Sequence, residues 1–328
     1  MKSKNEPVTA ARLLRSLMRR REIGTIIPLV IMVAVVTIVN PAFLAIGNII
    51  DIFRTATYSF IVAVALTFLM VTGGMDLSIG AVTSLGGIVC GFALVAGLPI
   101  PLSILCGILS GVIVGFIKAF FVIGLDLPPF IVTLGVQYAV NGLINVLTEG
   151  MPISGFPKGF KSIGQNFIVG RIYYTILIAV AFGIIFHIVL TKTKYGRRLI
   201  ASGGNAETAY LAGIHVKRIK VGAHVLVSTF AAIAGVLMAS RFASAMPNVG
   251  SGTELTIMAS VIIGGTSTYG GCGSIIGTSI GCLLLAVIAN GLVLMRVSSY
   301  YQNLIFGLIL LLSIVLDKYR QRLSENKK

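Results

Sequence analysis

Apolar runs of about 20 residues follow one another along almost the whole chain, and this feature limits the fold more than any other. The hydrocarbon core of a bilayer needs about 20 apolar residues per spanning helix. Windows of that kind fall at 24–45, 55–72, 77–98, 100–123, 129–148, 172–190, 219–240, 254–269, 274–295 and 298–316. The sequence therefore predicts an all-α polytopic membrane protein with about ten transmembrane helices and glycine-rich breaks.

The composition supports this fold class and excludes a large soluble domain within the chain. Of the 328 residues, 56% are hydrophobic and 11% are charged, whereas about 25% of a soluble domain is charged. No stretch has the pattern of an ATP-binding cassette or its phosphate-binding lysine loop. We expect a basic tail at 1–23, a permease domain at 24–316 and a second basic tail at 317–328.

The positions of Lys and Arg predict the orientation of the chain in the membrane. The net charge is +16, and 20 of the 26 basic residues lie in 1–23, 191–220, 317–328 or at Lys118. Basic loops stay on the cytoplasmic side of a membrane. Both termini and the loop 191–220 are therefore expected in the cytoplasm, and the loop 149–171 outside.

Two glycine-rich stretches interrupt the apolar runs, at 72–87 and 264–281. Glycine lets a helix break and lets backbones approach closely. In the first stretch Asp76 either caps the helix that follows or lies beside a solute pathway formed by a broken helix. The first candidate site consists of Gly73, Gly74, Asp76, Ser78 and Gly80, and the second of Gly264, Gly265, Gly270 and Gly271. The turns at 73–76 and 270–273 are both tight enough to be re-entrant.

Ionisable residues inside apolar runs are costly and are candidates for function. Besides Asp76, the runs contain Lys118, Asp126 and His187. Lys118 is expected to snorkel toward the cytoplasm, Asp126 to cap the fifth helix, and His187 to pack or to lie at the interface. Only Asp76 is therefore placed near a pathway.

The fifth apolar run carries polar residues at every fourth position, which predicts one polar helix face. These residues are Thr133, Gln137, Asn141 and Asn145. Amides at membrane depth either bond another helix or line a wet cavity. The face is thus either a contact surface for a polyhydroxylated solute or a bond between helices, and Asn290, Gln302 and Asn303 are weaker candidates of the same kind.

No pattern in the sequence favours an enzyme or a metal site. There is no pair of carboxylates on one face, no Ser/His/Asp set and no metal-ligand spacing. The four cysteines have no such spacing either and are interpreted as packing residues. A series of membrane carboxylates that would indicate ion coupling is absent as well. We expect no cofactor on this chain.

The loop 191–220 contains the spacing E-x-A-x3-G at Glu207, Ala209 and Gly213. Five motifs follow in order: GGMDLSIGAVTSLGG, PPFIVTLG, YGRRLIASGGNAETAYLAGIHVKRIK, VIIGGTSTYGGCGSIIGT and SSYYQNLIFGLILLLSIVLD. Together they resemble the ribose-type permease family of bacterial ABC sugar importers, over nearly the whole chain from about residue 24.

The resemblance implies a transport subunit that works as a homodimer or heterodimer in the bacterial inner membrane. It implies a cytoplasmic ATPase with two cassette domains, which holds the ATP and Mg, and a periplasmic or lipid-anchored sugar-binding protein. Glu207, Ala209 and Gly213 would then form the coupling helix that docks on the ATPase. Asp76 and its glycines would lie near the translocation path.

Several functions remain open at this point. The leading one is import of a monosaccharide, either a ribose-like pentose or a hexose. Related ABC permeases carry nucleosides, autoinducer-type furanosyl compounds or branched-chain amino acids. An ATP-independent secondary carrier belongs to another class, and a membrane enzyme is the most distant alternative.

Overall fold

The computed structural model of the protein describes residues 23–168 and 172–325, and most of them are helical. The α-helices are α1 (Ile23–Val39), α2 (Ile46–Val71), α3 (Ile79–Val95), α4 (Ile100–Ala119), α5 (Pro129–Thr148), α6 (Lys158–Gln165), α7 (Tyr174–Lys192), α8 (Lys194–Gly204), α9 (Ala206–Leu211), α10 (Val216–Phe242), α11 (Thr253–Ile263), α12 (Ile275–Leu294) and α13 (Ser299–Glu325). A 3-10 turn (Pro41–Leu44), a π turn (Phe120–Gly124) and two short strands, β1 (Ile153–Ser154) and β2 (Ser244–Ala245), complete the chain.

Each predicted window contains one helix of the structure. Six are long and apolar enough to cross a membrane: α2, α4 with its π turn, α5, α7, α10 and α12. Shorter apolar stretches lie in α1, α3, α11 and α13. The all-α, multi-pass prediction is confirmed, whereas ten spans and cytoplasmic termini stay predictions. The basic tail expected at 1–23 lies outside the described residues, except for Ile23.

Three boundaries differ from the prediction. Helix α2 begins at Ile46 rather than at 55, since its polar first turns are tied down: the Arg54 guanidinium donates to the Gly164 carbonyl over 2.9 Å. Helix α13 continues to Glu325, so most of the predicted tail 317–328 is helical. Helix α11 ends at Ile263 instead of 269, because Gly264 and Gly265 turn the chain there.

Helix α10 lies at the centre of the bundle, against α2, α3 and α4. Small residues let these backbones approach closely, as is usual between membrane helices. A Cβ added to Gly86 of α3 would lie 2.5 Å from the Ala232 Cα, and one added to Gly115 of α4 would lie 2.6 Å from the Val225 Cα. The glycines of α3 and α4 are therefore packing positions against α10.

The two ends of α10 mark two ends of the molecule. At one end β2, which follows α10, pairs antiparallel with β1, with Ile153 opposite Ala245. Ser240 also accepts a hydrogen bond there from the Gly164 backbone N–H of α6, at 2.8 Å. We call this the hairpin end. The loop helices α8 and α9 lie at the other end, which we call the glycine end.

Candidate functional site

The two predicted glycine breaks meet at the glycine end and form one cluster with α8. The Gly271 backbone N–H donates to the Val71 carbonyl at 2.9 Å. A Cβ on Gly203 of α8 would overlap the same carbonyl, and a Cβ on Gly270 would lie 2.9 Å from the Gly73 nitrogen. We call residues 71–74, 203–204 and 270–271 the glycine junction.

Glycine is required at this junction by conformation as well as by space. Gly73 has a φ of +79° and Gly270 a φ of +86°, values that residues with a Cβ adopt only under strain. Any side chain there would both strain the turn and separate the two breaks. The sequence indicated two independent breaks, whereas the structure joins them through the C-terminal end of α8.

Asp76 and Lys118 form a fully buried ion pair beside this junction. Both side chains are 0% exposed. One carboxylate oxygen of Asp76 pairs with the Lys118 ammonium, and the other accepts from the Ser78 backbone N–H at 2.8 Å and hydroxyl at 2.7 Å. Lys118 also donates to the Ser78 hydroxyl at 2.9 Å. Every oxygen of this carboxylate therefore has a partner.

The expectations for Lys118 and Asp126 were wrong. Lys118 does not snorkel to the surface, because the Asp76 carboxylate holds its ammonium in the interior. Asp126 is exposed at a φ of 55°, and the N-cap position of α5 is Pro128, with no side-chain cap. The Asp76 carboxylate bonds Ser78, the residue that begins α3, as a cap would, but its main partner is a charge on another helix.

A non-helical segment, residues 243–252, runs into the bundle beside α3. Its start packs near Gly91, since a Cβ on that residue would lie 3.2 Å from the Ala245 Cβ. Its end packs against Gly80, and the Gly250 backbone N–H donates to the Ser84 hydroxyl at 3.1 Å. Gly80 and Gly91 lie about 16 Å apart along α3, at the helical rise per residue. We call 243–252 the inner segment.

The inner segment leads into α11, which is too short to span a bilayer. With 11 residues, α11 is about 16 Å long, roughly half the thickness of the hydrocarbon core. Non-helical backbone at membrane depth is tolerated only where protein buries it or where it lines a wet cavity. The polar side chains of Asn248 and Ser251 are exposed on this segment. This region was predicted as the ordinary span 254–269, and that prediction was wrong.

Glu254, in the first turn of α11, is a buried carboxylate that the sequence reasoning overlooked. It is 8% exposed. One oxygen, Oε1, accepts from the Gln137 amide of α5 at 3.1 Å. The other, Oε2, is buried without a hydrogen-bond partner among the described residues, and it faces Gly80. The available signal was simple: this residue is an ionisable side chain inside an apolar run.

The four polar residues of α5 do not share one face. A helix turns about 100° per residue, so each step of four residues advances about 40° past a full turn. Thr133 is 0% exposed and donates to the Pro129 carbonyl at 2.8 Å. Gln137 and Asn141 are half-buried, and Asn145 is exposed. Only Gln137 and Asn141 therefore stand at the edge between the bundle and its outer surface.

Of the weaker amide candidates, Asn290 is a bond between helices. Its amide donates to Asn48 on α2 at 2.7 Å, and the Asn48 amide donates back at 3.0 Å. Gln302 donates to the Val297 carbonyl at 3.3 Å, while the Asn303 side chain lies outside the described part. His187 is half-buried between α7 and α12, beside Ile275. The four cysteines are free thiols.

The loop helices α8 and α9 connect the glycine junction to an exposed apolar surface. The Asn205 carboxamide caps α9 by accepting from the Thr208 backbone N–H at 2.9 Å. Glu207 is exposed in the first turn of α9, and Ala209 is 4% exposed against the rest of the loop. Tyr210 and Leu211 are 71% and 79% exposed. These two were not singled out from the sequence, because alternation of polar and apolar residues in so short a helix carries little signal.

Gly213 ends this loop in a left-handed turn. Its φ is +79°, although a Cβ at this position would meet nothing within 4 Å. In α8, burial raises the pKa of the Tyr195 phenol, whose ring stacks on Phe68 of α2 with centroids 6.5 Å apart. The base of the loop is thus anchored to the bundle, while α9 presents Tyr210 and Leu211 outward.

Comparison with known proteins identifies relatives along almost the whole chain. A family described as "Branched-chain amino acid transport system / permease component" matches residues 48–314. The ribose import permease protein RbsC of Bacillus subtilis is 37% identical over 300 residues, covering 91% of this chain and 93% of that protein. RbsC of Haemophilus influenzae is 36% identical, covering 89% and 92%.

A third relative is named for a different sugar. The galactose/methyl galactoside import permease protein MglC of Escherichia coli is 32% identical over 321 residues, covering 92% of this chain and 95% of that protein. No solved structure matches the chain.

Proposed function

Because this chain belongs to the permease family of branched-chain amino acid transport systems, we propose that it is the membrane subunit of an ATP-binding-cassette importer for a monosaccharide. The observation that carries this function is the similarity, over about nine-tenths of the chain, to permeases named for ribose and galactose import. Those names favour a ribose-like pentose or a hexose as the solute. The chain is a transport subunit, and ATP with Mg belongs to a partner ATPase.

The α9 surface supports docking on such an ATPase. Tyr210 and Leu211 are exposed, large and apolar, and exposed apolar side chains in a basic, polar loop favour a protein contact. The proposed coupling residues Glu207, Ala209 and Gly213 hold this surface: Ala209 packs inward, and Gly213 makes the turn that ends it. The positive-inside rule puts this loop, and with it the glycine end, in the cytoplasm.

Coupling would pass from α9 to the pathway through the glycine junction. A single residue, Asn205, separates α9 from α8. The end of α8 touches Val71, which ends α2, and Gly270, which lies between α11 and α12. A push on α9 therefore reaches both breaks by direct backbone contact, without an intervening side chain that could absorb it. Gly73, Gly74, Asp76, Ser78 and Gly80 would move with the first break, and Gly264, Gly265, Gly270 and Gly271 with the second.

The pathway would lie where α5 and the inner segment expose polar groups. Asn145, Asn248 and Ser251 are exposed at or near membrane depth, a position that lipid does not tolerate. A second copy of this chain, or a related subunit, placed against this surface would enclose a wet passage. The buried Thr133 is a bond within α5 rather than a solute contact, so Gln137, Asn141 and Asn145 are the remaining candidates.

Reconstitution tests the function directly. The chain is produced with its genomically adjacent ATPase and solute-binding protein, placed in liposomes, and assayed with labelled ribose, galactose, a nucleoside and leucine. Uptake of a monosaccharide that requires ATP and the binding protein is expected. Leucine uptake would instead support the solute class in the family's description. Uptake driven by an ion gradient without ATP would replace the proposal with a secondary carrier.

Docking is tested separately by Gly213→Ala. The left-handed turn at Gly213 resists a Cβ, so α9 should be misplaced, and ATPase co-purification and uptake should fall together about tenfold. Gly222→Ala is a matched control, because Gly222 lies within α10 and its nearest contact would be an ordinary 3.6 Å. Unchanged ATPase binding in Gly213→Ala would remove the docking role.

A further inference from the structure

Glu254 is held half-satisfied at the point where the inner segment becomes a helix. Its Oε1 accepts from Gln137 at 3.1 Å, while its buried Oε2 has no partner among the described residues. A buried carboxylate oxygen without a donor costs free energy that folding must recover elsewhere. An arrangement of this kind persists where another molecule supplies the missing donor in some state of the protein.

The contact that covers Oε2 is a backbone seam with little to hold it closed. Gly80 on α3 faces both Gly250 and Oε2. One hydrogen bond crosses this seam nearby, from the Gly250 backbone N–H to the Ser84 hydroxyl at 3.1 Å. No side chain interlocks Gly80 with Gly250, so α3 and the inner segment can separate by a small shift. Such a shift would expose Oε2 on the side where Asn248 and Ser251 are already exposed.

We propose that Glu254, positioned by Gln137, is a solute-binding residue whose free oxygen accepts a hydroxyl hydrogen of a sugar in transit once this seam opens. The assignment rests on the proposed function and names a residue for it. A carboxylate accepts without donating, so it suits a solute that presents several hydroxyl donors. Gln137 uses its amide hydrogen on Oε1, which leaves its carbonyl oxygen as a second acceptor for the same solute. Neither group selects for a charged substrate, as an arginine would for a phosphate.

The test compares three variants in the reconstituted complex with ATPase and binding protein. Glu254→Gln keeps the size but turns one oxygen into a donor. Glu254→Asp keeps the charge. Glu149→Gln is the matched control, because Glu149 is an exposed carboxylate on the first residue of the loop 149–171. Labelled ribose uptake, ATP hydrolysis and melting temperature are measured for each, and uptake is repeated with 2-deoxyribose and galactose.

The proposal predicts that Glu254→Gln lowers ribose uptake per ATP hydrolysed about tenfold, the loss expected for one charge-assisted hydrogen bond. ATP hydrolysis without solute and melting temperature should stay at the wild-type values. Glu254→Asp should recover part of the uptake, and Glu149→Gln should equal the wild type. At least one sugar that lacks or reorients a hydroxyl should show a different fold-loss from ribose.

Two outcomes overturn it. Wild-type uptake per ATP in Glu254→Gln would show that no solute hydroxyl reaches this carboxylate. A loss of uptake that is the same for all sugars and tracks the melting temperature would assign Glu254 to folding alone. If Glu254→Gln fails to assemble, the sugar comparison is made with Glu254→Asp, where an unchanged pattern is equally decisive. Failure of the wild-type complex to import any sugar would instead refute the proposed function.

Discussion

The two buried acids of this protein, Asp76 and Glu254, differ in how completely they are paired. Asp76 has a lysine on one oxygen and two donors from Ser78 on the other. Glu254 has one amide on one oxygen and nothing on the other among the described residues. Both lie beside glycine-lined backbone contacts, so burial alone does not distinguish them.

The difference separates a structural group from a candidate ligand-binding group. An ion pair with all hydrogen-bonding capacity used has nothing left to offer a passing solute, and opening it would leave two charges in the membrane interior. A carboxylate with one free oxygen loses nothing when a donor arrives. The sequence reasoning weighed only Asp76 for the pathway, and the structure moves that weight to Glu254.

The largest effect is expected from breaking the complete pair. Lys118→Met leaves the Asp76 carboxylate buried without its counter-charge, which should cost about 3–5 kcal/mol of stability. The melting temperature of the purified chain in detergent measures this loss. Glu254→Gln, measured beside it, should shift the melting temperature far less, because no opposite charge is abandoned.

The double variant Asp76→Asn with Lys118→Met provides the control. Removing both charges should restore much of the stability that Lys118→Met alone loses, since neutral groups of similar size often replace a buried ion pair at little cost. Equal melting temperatures for Lys118→Met and the wild type would mean that the pair is not closed in the folded protein, and the contrast with Glu254 would disappear.

The sequence predicted the elements well and their contacts poorly, for a physical reason. Apolar runs report burial in lipid, so each predicted window contains a helix, and Asp76, Gly73 and Gly270 were found because glycine and charge are rare in such runs. Pairing between distant residues leaves no local signal. Nothing near Lys118 indicates Asp76, and nothing near Gly203 indicates Val71. The inner segment was missed because 243–252 is as apolar as a span, although its glycine and proline prevent a helix.

The glycine junction should show an intermediate effect. In Gly203→Ala the added Cβ overlaps the Val71 carbonyl, so α8 must move away, at a cost of about 1–3 kcal/mol for overpacking. Uptake should fall more than stability, because α8 links the proposed docking helix to both breaks. Melting temperature and ATP-driven ribose uptake are measured together.

The neighbouring glycine makes a matched control. A Cβ on Gly204 would have the Gly271 Cα as its nearest atom, at 3.9 Å, and alanine favours a helix more than glycine does. Gly204→Ala should therefore keep both melting temperature and uptake. If Gly203→Ala also keeps full uptake, the junction does not transmit motion, and the closed glycine end would be no more than a packing contact.

The smallest effect is expected at a third polar contact, the amide pair of Asn48 and Asn290. This pair is complete in the same sense as Asp76 and Lys118, because each amide donates to the other, but it carries no charge. Asn290→Leu should lower stability by about 0.6 kcal/mol, a usual value for a hydrogen bond between membrane helices. The ratio of ribose to galactose uptake should not change, whereas the same ratio is expected to change in Glu254→Gln. A changed ratio in Asn290→Leu would return Asn290 to the list of solute contacts, and completeness of pairing would no longer tell structural polar groups from functional ones in this protein.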